Sequence, residues 1–70
     1  MPIFTYIRGN NLIALNNNGK EIIVEIAPKG LDPKSTQLFL EDLKESRQMT
    51  GYTIQEQVDI NNGTFSPKQW

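Results

Sequence analysis

The chain has 70 residues, seven Lys and Arg against eight Asp and Glu, and neither histidine nor cysteine. That length gives one domain and one small core. The composition excludes disulfides, thiolate zinc or haem ligation and histidine-based catalysis.

Other classes are disfavoured by what the chain lacks. No block of like charge forms a basic arm or an acidic tail. No apolar run approaches the roughly 18–20 residues that span a bilayer. Residues Met1 to Thr5 carry no cationic region followed by an apolar stretch, so no signal peptide is expected and the cytoplasm is the expected compartment. A core this small rarely supplies more than roughly 3–5 kcal/mol, so association is the natural route to added stability.

Ile3 to Arg8 is rich in β-branched and aromatic residues and predicts a strand. Gly9-Asn10-Asn11 ends it, and Leu12 to Leu15 reads as a second strand. Asn17-Asn18-Gly19 is a hairpin signal of the type I′ kind. Lys20 to Ala27 then predicts a third strand, with Ile22, Val24 and Ile26 on one face and Glu21, Ile23 and Glu25 on the other. These three strands are expected to form an antiparallel meander. The many asparagines beside glycine are read as turn chemistry.

Asp32-Pro33 opens a helix, since aspartate caps free N–H groups and proline suits the first helical position. The helix is expected to run from about Pro33 to Met49, with Gly51 as its stop. Its core stripe is Thr36, Phe39, Leu40, Leu43 and Thr50, with Ser46 and Arg47 at the edges. Tyr52 to Ile60 alternates and reads as a strand, interrupted on its apolar side by Glu56. Asn61-Asn62-Gly63 is a further hairpin signal, and Thr64-Phe65-Ser66 a short closing strand. The expected architecture is α+β, in the order β-β-β-α-β with a possible fifth strand. It is a single domain over residues 1–66 with a tail at 67–70, and the helix lies on one sheet face.

Chemistry is sparse. Serines and threonines have no histidine base. Glu41, Asp42 and Glu45 share a region of the helix, but a regular helix offers too few oxygens to hold a hard cation. Gly30-Leu31-Asp32-Pro33 precedes a helix, yet it holds one glycine and an aspartate that repels anions. No cofactor, no metal and no catalytic residue are expected, and the chain is read as a non-enzymatic protein.

The residues left for function are apolar or aromatic side chains at candidate surfaces. Phe4, Tyr6 and Arg8 alternate along one face of the first strand, and Ile23 belongs to the third. Leu38 and Met49 lie off the helix core stripe, beside Asp42 and Glu45. Trp70 ends the sequence and is either folded back over the sheet or inserted into a partner. Together they predict a protein–protein interaction module, accessory or inhibitory in kind, that uses a sheet face and one helix side. Its expected partner is another protein or itself as a homodimer, with no membrane, and nucleic acid is disfavoured. The alternative is a nucleic-acid-binding or regulatory module using Tyr6, Arg8, Lys44 and Arg47, although carboxylates are expected near that face.

Overall fold

The computed structural model describes residues 3–70. The expected meander is present. Strand β1 covers Phe4–Arg8, β2 covers Asn11–Leu15 and β3 covers Glu21–Ile26, each antiparallel to the one before. Helix α1 runs Pro33–Thr50, helix α2 runs Ile54–Asn62, and a two-residue strand β4 is formed by Lys68–Gln69. The sheet order is β1-β2-β3-β4, with β4 parallel to β3. The molecule is an α+β fold with a four-stranded mixed sheet.

Turn chemistry sets the meander. Arg8 pairs with Asn11, leaving the two-residue loop Gly9-Asn10, and Gly9 adopts φ 58° in its first position, where glycine has no steric penalty. The second connection is not the type I′ turn expected from Asn18-Gly19. Among the described residues no non-glycine residue has positive φ, and that turn needs positive φ at both central positions, Asn18 included. Asn17-Asn18-Gly19 is instead a three-residue loop, closed by Gly19 N–H donating to the Asn16 carbonyl at 3.0 Å. The Asn16 side chain organises it, accepting from the Asn18 and Lys20 N–H groups at 2.9 Å each.

Strand β3 departs from simple alternation. Leu12 pairs with Glu25 but Ile13 pairs with Ile23, so the register shifts at a β-bulge. Val24 is the extra residue. Beyond it the faces exchange, and Glu25 turns to the side of Leu12, away from Glu21 and Ile23. Val24 and Glu25 are consequently both buried, at 1% and 4% exposure. The expected sharing of one face by Glu21 and Glu25 is therefore corrected.

Helix α1 begins as expected. The Asp32 carboxylate accepts from Ser35 N–H at 2.7 Å, with Pro33 following at the start of the helix. It ends one residue later than Met49, at Thr50, and Gly51 follows with φ 71°. Leu40 and Thr36 are buried and Phe39 and Leu43 half-buried, but Thr50 is exposed, its hydroxyl donating to the Ser46 carbonyl at 3.0 Å.

The segment from Tyr52 to Ile60 is the main correction. It is helix and not strand. Thr53 accepts from Glu56 N–H at 3.1 Å while the Glu56 carboxylate accepts from Thr53 N–H at 2.9 Å, a reciprocal cap that fixes the first turn. Asn61-Asn62-Gly63 is the end of that helix and not a hairpin. Gly63 lies in the left-handed region at φ 75°, and its N–H and that of Thr64 return to the Ile60 and Asp59 carbonyls. Thr64-Phe65-Ser66 forms no strand. The closing strand lies after Pro67, in the stretch expected to be a tail.

Both helices cover one face of the sheet. The core is Leu12, Ala14, Val24, Ala27, Leu40 and Ile60, flanked by half-buried Ile3, Ile7, Ile22, Phe39, Leu43, Tyr52 and Phe65. Thr5 opposes Ala14 on this face, and both are buried beneath the helices. The asparagines also join elements. Asn16 Nδ2 donates to the Ile60 carbonyl at 3.1 Å and Asn61 Oδ1 accepts from Asn17 N–H at 3.0 Å, tying the β2–β3 loop to the end of α2.

Candidate interaction surfaces

Because the helices take the face of Ile3, Thr5 and Ile7, the other face of the sheet lies open. Strand alternation places Phe4, Tyr6 and Arg8 there. Register adds Leu15 opposite Phe4, and both Ile13 and Ile23 in the row of Tyr6. Phe4 is 63% exposed, Ile23 39% and Leu15 37%. Phe4 and Tyr6 pack together with ring centroids 5.8 Å apart. Ile13 is buried in the middle of the patch.

Arg8 does not stand free on this face. Its Nη1 and Nη2 donate to Glu21 Oε1 and Oε2 at 2.9 and 2.6 Å, while its guanidinium lies 5.6 Å from the Tyr6 ring centre. Arg8 pairs with Asn11 and Glu21 with Leu15, so the ion pair crosses the face diagonally. At 64% and 41% side-chain exposure, such a pair contributes only about 0.2–1 kcal/mol. Its main effect is to neutralise the charge on an apolar surface.

The remaining candidates do not join this patch. Leu38 and Met49 are exposed, at 54% and 83%, but they lie eleven positions apart, about 16 Å along a helix. Trp70 folds back onto its own chain. Its N–H donates to the Ile26 carbonyl at 3.0 Å, and its ring meets Phe39 edge-on with centroids 5.5 Å apart. Lys68 Nζ lies 3.9 Å from the Trp70 ring centre. It nevertheless remains 42% exposed. Sequence alternation had overlooked Leu15, although Leu12 and Ala14 on the opposite face marked its direction. Ile54 and Val58 are exposed one turn apart on α2, a grouping that a strand reading of the segment does not reveal.

Beneath the helices lies a polar cluster. The Arg47 guanidinium stacks 4.5 Å over the Tyr52 ring and donates to both Glu56 oxygens at 3.1 and 3.4 Å. The Thr53 N–H hydrogen bond lowers Glu56 below the usual carboxylate range, and Arg47 adds to that effect. Burial pushes the Tyr52 hydroxyl up to about 12, and the atom has no hydrogen-bond partner. Burial likewise raises the Glu25 carboxyl; Arg47, Trp70 and Lys68 oppose the rise, and Glu56 reinforces it. Glu25 Oε2 also lacks a partner.

A cleft of about 290 Å³ opens beside Arg47 and Tyr52, walled by Ile3, Thr5, Gln48, Gly51 and Gln57. Gln57 is occupied by the Tyr52 carbonyl, to which its Nε2 donates at 2.9 Å. Lys44 is half-buried on α1, in the turn before Arg47. Among the described residues, no group of three carboxylates is placed to hold a metal ion, and no helix is long and apolar enough to cross a membrane. Comparison with protein-family models, curated proteins and solved structures finds no match to this chain.

Proposed function

We propose that this chain is a non-enzymatic protein-interaction module that pairs with a second copy of itself through the open face of its sheet. The observation that carries this reading is the apolar surface left on that face by exposed Phe4, Leu15 and Ile23 and half-buried Tyr6, crossed by the internally neutralised Arg8–Glu21 pair. Large apolar side chains grouped on a neutralised surface favour burial against another apolar surface.

Self-pairing is supported by the absence of net charge on this face. Arg8 and Glu21 pair within each copy, so two such faces meet without charge repulsion, as a closed two-fold dimer that sets a patch against its own copy requires. Nucleic-acid binding draws less support, since Glu21 neutralises Arg8 and Glu56 neutralises Arg47.

Light scattering after size exclusion, across a concentration series, tests the reading. A mass near twice 8.0 kDa is expected for the native chain. The double variant Phe4→Ser, Ile23→Lys is expected to stay monomeric with an unchanged circular dichroism spectrum. A native chain that remains monomeric to about 1 mM, where association is worth only ~4 kcal/mol, overturns the proposal.

A further inference from the structure

We infer that the groove between the outer edge of β3 and helix α1 is a docking site for an extended peptide carrying a cation two residues before an aromatic side chain, and that residues 68–70 are its internal occupant. This surface is separate from the open sheet face and does not depend on it.

The groove supplies each element of such recognition. Backbone pairing comes from β3, where β4 sits in parallel register, Lys68 opposite Glu25 and Gln69 opposite Ile26. The aromatic subsite is the exposed flank of Phe39, which Trp70 meets edge-on. The charge subsite is Glu25, which stands opposite Lys68 in the register, is turned inward by the bulge and 4% exposed, and has Oε2 unpartnered, while Lys68 Nζ itself lies over the Trp70 ring. An enclosed carboxylate of this kind favours a cationic ligand. Residues two apart in a strand project to the same side, so Lys68 and Trp70 both address the helix side of the sheet. The spacing of cation and aromatic follows from that periodicity.

The internal occupant is held lightly. β4 is two residues long and both are exposed. β3 spans six residues, and among the described residues none pairs with Glu21 to Val24 on the outer side. A longer incoming strand in the same direction would form hydrogen bonds there that residues 68–70 do not reach. Strand addition at a sheet edge is a recurrent mode of peptide recognition. The tethered segment competes at high effective concentration, so it masks the groove without sealing it.

The test uses a fluorescein-labelled peptide with the sequence of residues 64–70, read by anisotropy against full-length chains. Trp70→Ala is expected to bind it at least ten-fold more tightly than the native chain, because the internal competitor is weakened. Lys68→Glu, a surface change that sets two carboxylates against each other, is expected to do the same. It also shifts the emission of the single tryptophan to the red, and it keeps the test valid should Trp70→Ala perturb folding. Peptides carrying Lys68→Gln or Trp70→Ala are expected to bind the opened chains at least ten-fold more weakly. Equal affinity of the native and opened chains overturns the proposal, as does equal affinity of the three peptides.

Discussion

Glu25 is the residue at which sequence pattern and environment conflict most. Strand alternation assigns it to the solvent side with Glu21, yet the bulge at Val24 turns it under the helices. The consequence is a pH dependence whose sign follows from its raised pKa. A carboxyl that titrates above its ordinary 4.5 in the folded chain holds more protons there than in the unfolded chain. Its favourable contribution is complete below pH 4.5 and is lost as pH rises through the folded value. Glu25→Gln removes that loss. The variant is expected to melt above the native chain at pH 7, and the gap is expected to narrow towards pH 4. Relief of an unpaired buried group is worth about 1 kcal/mol, or roughly 4–8 °C for a domain this small. Paired thermal melts from pH 4 to 8 measure the difference. No histidine titrates in that window to obscure it. A variant that melts below the native chain at pH 7 would mean that the neighbouring Arg47 and Lys68 outweigh burial.

At the scale of elements, α2 depends on its caps. Its nine residues are fewer than an isolated helix needs to persist in water. Thr53→Ala removes the Oγ1 acceptor of Glu56 N–H, and the expected cost is about 1 kcal/mol, seen as a lower urea midpoint with unchanged slope. The same cap is the signal that separates helix from strand in this segment. Ile54 and Val58 are four residues apart, a spacing that fits both a strand face and a helix face. Alternation over so short a window cannot separate the two periods. The separating signals were present as Thr53-x-x-Glu56 at the start, Gly63 at the end and Glu56 breaking the apolar side. The meander and α1 were legible because glycine, asparagine and the Asp32-Pro33 cap bounded them. The grouping of Phe4, Tyr6, Arg8 and Ile23 was also legible, since period-two alternation fixes which residues share a face. Which face the helices cover was not, because both carry large apolar residues. The fold-back of Trp70 rests on two pairs in β4, and local pattern does not encode a contact of that range.

For the whole molecule, the central question is how six fully buried apolar residues sustain a fold. The chain is compact, with a radius of gyration of 11.7 Å against about 11 Å expected for its length. Yet Phe4, Leu15 and Ile23 remain at the surface while Ala14 and Ala27 occupy the core. Much of the available apolar area is thus still in water after the chain has folded. Covering the open face in a dimer would remove that area and make folding and association one equilibrium. Stability then depends on concentration, and each tenfold increase favours the folded dimer by about 1.4 kcal/mol per mole. The native chain is expected to show a thermal midpoint that climbs steadily across a hundred-fold concentration series. For Phe4→Ser, Ile23→Lys the midpoint is expected to be flat and close to the native value at the lowest concentration, since neither side chain belongs to the core beneath the helices. A flat native series would mean that the core and its polar ties, Arg47 to Glu56 and Asn16 to Ile60, suffice alone. The open face would then have no stabilising role, and pairing through it would have to be abandoned.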